Sequence, residues 1–186
     1  MAKSGAIKLW LVDRGARSDF YWGEGTMYGV GCYLQEYFNQ ICQHPSSPFV
    51  NAVFSWTMGV VADHDLVVYF LASPKRSIIQ GRYNQNVQHG SGGTYLTSAG
   101  MISEIYLSEM EGDRNYTRLV ANIAFHEMLH NKLDAPQKKS VTDIHSLGGG
   151  GLAAAKVNAG ARPTKREIEL MAQALDKKVP QYTADM

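Results

Sequence analysis

The sequence predicts an α+β fold: a twisted mixed β-sheet packed on one long helix, with a small helical part toward the C-terminus. Short runs rich in Val, Phe, Trp and Tyr read as strands, and they are joined by stretches whose apolar residues recur every three or four positions, which read as helices. The most regular of the helical stretches, residues 113–133, lies behind most of the strands and carries several chemically capable side chains. Neither an internal repeat nor a linker divides the 186 residues, so one domain is expected over 1–186, with an upper part of about 1–134 and a lower part of about 135–186.

Residues 7–13 are apolar with partial alternation and end at a turn near Gly15, which makes them the first strand. From Tyr28 to Gln43, Val30, Tyr33, Leu34, Tyr37, Phe38 and Ile41 fall on one helical face, an aromatic stripe of the kind that fills a core. Pro45 and Pro48 break the chain after it. Residues 50–58 and 66–71 are two further strands, and Asp63-His64-Asp65 between them reads as a solvated turn without chemistry. Residues 73–93 are polar and rich in Gly and Asn, so they read as a long loop, with His89 solvated. Residues 92–97 and 102–108 are two more strands; the first, opened by Gly92 and Gly93, suits a sheet edge that another extended backbone can approach.

Within the helix 113–133, Tyr116, Leu119, Val120, Ile123, Ala124 and Leu133 mark the apolar stripe, and Pro136 ends it because proline disfavours helical geometry in the residue before it. The helix carries Phe125-His126-Glu127-Met128-Leu129-His130, an HExxH pattern. Residues four apart sit one above the other on a helix, so His126 and His130 can offer imidazole nitrogens to one zinc ion, with Glu127 beside it. Both histidines fall within the apolar stripe and are expected to be buried. Two hydrogen-bonded core histidines would also fit that stripe, but the adjacent glutamate would be costly to bury without a counter-ion.

A third ligand has to come from downstream, where Asp134, Asp143 and His145 are available. His145 leads on ligand type and reach, since the connection can fold back beneath the helix and glycines 148–151 permit close backbone approach. Asp134, one turn past His130, reads as a partner for the His130 ring, and Asp143 could orient His145 or replace it. Thr164 to Glu167 after Pro163 is a capping box that opens a last helix running to about Lys178, read as core packing.

Composition narrows the function classes. A formal charge of +1 and the lack of a basic stripe interleaved with aromatics argue against nucleic acid or an anionic membrane as partner. No apolar run approaches a membrane span, and the first residues lead into a strand rather than a signal-peptide core, so a soluble chain is expected with its location open. Cys32 and Cys42 lie ten residues apart in one helix, about 15 Å of rise and too far for a disulfide, so buried free thiols are expected.

The order strand, helix, several strands, then a helix bearing His126-Glu127-Met128-Leu129-His130 resembles the zincin metallopeptidases, with a metzincin-like layout; Asn131 also suits that pattern. The resemblance implies zinc held by His126 and His130 and Glu127 as general base. It departs at Leu133, where the family has glycine, and at Pro136, which stands where its third ligand would be; no methionine turn follows, Met171 lying in the last helix. What is implied is a zinc metallopeptidase of divergent third-ligand region, acting on a protein or peptide substrate. The alternatives are a zinc hydrolase for a cell-wall peptide or other non-protein amide, and a non-catalytic zinc-stabilised binding domain. An inhibitor or immunity-type partner is not specified by the sequence.

Overall fold

The computed structural model of the chain describes residues 2–16, 22–85, 90–134, 144–147 and 151–183. In chain order its elements are β1 (Ala6–Asp13), α1 (Glu24–Gln43), β2 (Asn51–Ser55), β3 (Leu66–Leu71), α2 (Ile78–Tyr83), β4 (Gly92–Thr97), β5 (Gly100–Tyr106), α3 (Tyr116–Leu129) and α4 (Lys165–Ala174). The fold is α+β with a five-stranded mixed sheet in the order β2-β1-β3-β5-β4. Strand β1 is parallel to β2 and β3, β3 is parallel to β5, and β4 runs antiparallel to β5 as an edge.

Alternation along the strands sorts side chains to two faces. Ile7, Leu9 and Leu11 of β1 and Leu66, Val68 and Phe70 of β3 join the larger core with α1 and α3. Trp10, Val67, Tyr69 and Leu71 point the other way, into a smaller cluster completed by Ile78, Ile79 and Tyr182. Every residue of β3 is buried, as a strand covered on both faces must be, which explains its unbroken apolar run. The larger core also takes in Leu152, Ala153, Met171 and Leu175, so residues beyond 150 share it with α1 and α3.

Several local readings change. Helix α1 starts at Glu24, four residues earlier than periodicity alone indicates, and α4 ends at Ala174 rather than near Lys178. The segment read as one long loop contains α2. Ser77 caps this short helix, its hydroxyl accepting from Gln80 N at 3.0 Å, and a strand distant in sequence completes the turn: the buried Glu104 carboxylate of β5 accepts from Ile78 N at 2.7 Å and Ser77 Oγ at 2.6 Å. His89 lies outside the described residues. Asp65 is buried rather than solvated, accepting from Trp10 Nε1 at 3.1 Å and Ala62 N at 2.9 Å. Both thiols are free, but only Cys42 is buried and Cys32 is exposed. No described helix is long and apolar enough to cross a membrane.

The chain's last described residues return to the sheet. Met101 N donates to Pro180 O at 2.8 Å and Tyr182 N to Met101 O at 2.9 Å. Gly100, at φ +119°, makes room for this: a Cβ there would meet Gln181 C at 2.7 Å and Pro180 O at 2.8 Å. Gly112, at φ +87°, has nothing within 4 Å and serves as its control. Gly100→Ala is expected to cost about 2 kcal/mol or more, roughly 4–8 °C in melting temperature, and to open the tail to carboxypeptidase. Gly112→Ala should lose only the smaller conformational part. Equal losses in thermal melts would show that the tail contact contributes nothing.

Candidate metal centre

Helix α3 carries a polar stripe at four-residue spacing, and each member reaches the segment 152–161 beneath it. Arg118 Nη2 donates to Ala161 O at 3.1 Å, Asn122 Nδ2 to Asn158 O at 2.8 Å, and His126 Nδ1 to Leu152 O at 2.6 Å. The Asn122 carbonyl accepts from Tyr37 Oη at 2.6 Å, which ties the stripe to α1. Residues 120–129 are buried all round. The helix is therefore enclosed between the sheet and the lower segment, and its histidines lie on a polar seam rather than within an apolar face.

His126 is buried, His130 half-buried and His145 exposed, and among the described residues these three offer ligand nitrogens all within 4.8 Å of one another. Their hydrogen bonds fix the tautomers. His126 Nδ1 faces the carbonyl of Leu152, His145 Nδ1 faces that of Ala153 at 3.2 Å, and His130 Nδ1 faces the Asp134 carboxylate. Each partner is an acceptor, so each Nδ1 carries a hydrogen and Nε2 is the nitrogen that can ligate. The Nε2 atoms of His126 and His130 stand 3.1 Å apart, a spacing at which two imidazoles share either a proton or a cation. Tetrahedral zinc at its usual bond lengths spaces ligand nitrogens by roughly 3.3 Å, so the His126–His130 pair fits such an ion in separation and the three imidazoles fit it in type. Burial, with His130 adding to the effect, lowers the His126 pKa to about 4, which keeps that ring in the neutral form that ligates.

Glu127, next along α3, turns toward β4. Its carboxylate accepts from Thr94 Oγ1 at 2.8 Å, and the same hydroxyl lies 3.1 Å from Glu127 O and 3.0 Å from Ser103 Oγ. Gly92 has to be glycine for this to happen, since a Cβ there would sit 2.9 Å from Glu127 Oε1 and 3.0 Å from its Cγ. Burial pushes the Glu127 carboxyl up to about 8; the Thr94 bond opposes the rise and Asp134 adds to it. A cleft of about 600 Å³ joins these groups, lined by β4 from Gly92 to Thr94, by His126, Glu127, His130 and His145, and by Lys156 and Val157 opposite.

Of the residues singled out from the sequence, His126, Glu127, His130 and His145 line this cleft together. Asp134 is one step back, on the His130 ring, in a wide π-type turn over His130–Asp134 that follows α3. Asp143 lies outside the described residues, as does Pro136. Sequence reasoning missed Thr94, whose only signal is its place after two glycines on an edge strand, and the carbonyls of Leu152 and Ala153, which no side-chain pattern marks.

Zinc should bind at about one ion per chain, and His145→Ala should weaken it by roughly 100-fold or more, as measured by chelator competition. Asp134→Asn, which leaves the ligands in place, should cost roughly 10–100-fold. Stoichiometric zinc in a His126→Ala, His130→Ala double variant would rule this centre out.

No protein-family model matches the sequence and no curated protein matches it either, so the residues of this cleft are the ground on which its chemistry has to be judged.

Proposed function

We propose that the chain is a zinc-dependent metallopeptidase of the zincin kind, hydrolysing peptide bonds in the cleft between β4 and the segment 155–157. The observation that supports this most is the convergence of three Nδ1-bonded imidazoles beside a buried carboxylate, in a cleft bordered by an edge strand. The order of elements, with strands preceding the HExxH helix, agrees with the resemblance to zincins. Three imidazoles facing a cleft also suit catalysis better than a structural role, for which zinc takes four protein ligands closed off from solvent.

His126, His130 and His145 would hold the zinc, which when bound would supply Lewis acidity toward a water and the scissile carbonyl. The protein's own part is proton transfer and alignment. Glu127 takes the proton of the attacking water and passes it to the departing amine, so one carboxyl serves as base and then as acid. Thr94 and Gly92 fix the rotamer of Glu127, keeping the proton acceptor on the side of the cleft where substrate lies. Among the described residues β4 pairs only with β5, and its outer edge can receive an extended substrate backbone by strand addition. The small residues Gly92, Gly93 and Thr94 let that backbone come close.

Glu127→Gln preserves the shape of the side chain while removing its proton acceptor, so zinc content should be retained and cleavage of a peptide library should fall by roughly 10²–10⁴-fold. Thr94→Val, which removes the hydroxyl that holds Glu127, should cost roughly tenfold in kcat with little change in KM. Near-normal turnover by Glu127→Gln on any cleaved peptide would remove Glu127 from the mechanism.

A further inference from the structure

Glu167 is a buried carboxylate that the mechanism above does not use. In the sequence it is the fourth residue of a capping box, and the structure keeps that role: Thr164 N donates to Glu167 Oε2 at 2.6 Å and Glu167 N donates to Thr164 Oγ1 at 3.2 Å. Its other oxygen, Oε1, accepts from Ala153 N. Ala153 is the residue whose carbonyl holds the His145 ring, and Leu152 before it supplies the carbonyl that holds His126. Gly151 passes so close beneath that a Cβ would lie 2.5 Å from both carboxylate oxygens. One side chain on α4 thus bonds the Ala153 amide and lies against Gly151, holding the backbone on both sides of Leu152, and Leu152 and Ala153 supply the carbonyls that set the rotation of two imidazoles.

We propose that Glu167 is a positioning residue of the metal centre, fixing the Gly151–Ala153 backbone so that the Leu152 and Ala153 carbonyls hold the His126 and His145 rings in their ligating tautomer. This rests on the metal-site reading given above. The coupling is reciprocal: if Glu167 favours the geometry that binds zinc, zinc must favour the clamped segment, and the Ala153 amide should exchange more slowly with zinc than without it.

Glu167→Gln separates this role from helix capping. Both carboxylate oxygens accept from backbone N–H groups, so an amide would turn its own N–H against one of them. Thr164→Ala removes the other half of the capping box but leaves Oε1 on Ala153. Zinc affinity by chelator competition, histidine ¹⁵N spectra of the zinc-free protein and thermal melts should be compared across wild type, Thr164→Ala, Glu167→Gln and Gly151→Ala. Thr164→Ala is expected to lower the melting temperature and keep zinc affinity within a few-fold of wild type. Glu167→Gln and Gly151→Ala should lose roughly 10–100-fold in affinity, and the Nδ1–H signature of His126 and His145 should give way to mixed tautomers. Using both variants guards against one of them failing to fold. Equal zinc affinity in Glu167→Gln and Thr164→Ala with unchanged tautomers would overturn the proposal. A wild-type chain that takes up no zinc, but whose tautomers still collapse in Glu167→Gln, would defeat the metal reading and support the positioning one.

Discussion

An imidazole whose Nδ1–H is given to a fixed oxygen has one nitrogen left for a cation, and at His126, His130 and His145 the fixed oxygens belong to Leu152, Asp134 and Ala153. Holding those oxygens still is the demand that shapes the lower half of the chain. Arg118 and Asn122 pin residues 158–161 to α3, and the backbone of 151–153 is gripped by the carboxylate of Glu167. Without these anchors the segment would be an irregular stretch of small residues with little side-chain surface to hold it in place.

The carboxylate beside the imidazoles answers to a different part of the molecule. Thr94 and Gly92 belong to β4, and the hydroxyl of Thr94 is the end of a buried polar chain. Asn131 Nδ2 donates to Ser103 Oγ at 3.1 Å and to Gln181 Oε1 at 3.0 Å, and Gln181 Nε2 returns a bond to Asn131 Oδ1 at 3.0 Å. Every member has a partner, which is what makes such a network tolerable in a core. Lys132, fully buried in the turn after α3, is handled the same way, its Nζ donating to His64 O at 2.8 Å and Lys177 O at 2.9 Å. The turn that carries His130 and Asp134 is thereby fixed at Asn131 and Lys132, between the two residues of the ring-orienting pair.

What could be read in advance follows from whether the signal is local. The strands, α1, α3 and the capping box of α4 announce themselves through spacing within a few residues, and the HExxH pattern puts two imidazoles on one face by helix geometry alone. Asp134 sits one turn from His130, so its bond to that ring was also within reach of local argument. Helix α2 was hard to read because its local signal is slight, a Ser77 cap before a short run that contains Gly81, and the buried Glu104 that completes its first turn lies on a strand more than twenty residues later. Asp65 looked like a solvated turn for the same reason: the donors that make its burial possible are on β1 and in the loop before it. Thr94 and the Leu152 and Ala153 carbonyls escaped notice because backbone oxygens and single hydroxyls leave no pattern, however much they decide the direction in which a ring or a carboxylate points.

The division of labour between the two halves comes down to one step along α3. Consecutive helical residues project about 100° apart, so His126 and Glu127 cannot face the same surroundings. His126 looks down to Leu152, and Glu127 looks across to Thr94. Between those two directions lies the cleft, with the edge of β4 as one wall and residues 155–157 as the other. Because neither wall supplies both groups, the relation of imidazole to carboxylate is set by the helix backbone itself, the stiffest part available. The sheet orients the carboxylate and the lower segment the rings of His126 and His145, and a small shift of either wall would leave the spacing of His126 and Glu127 along α3 unchanged while altering the width of the cleft between them.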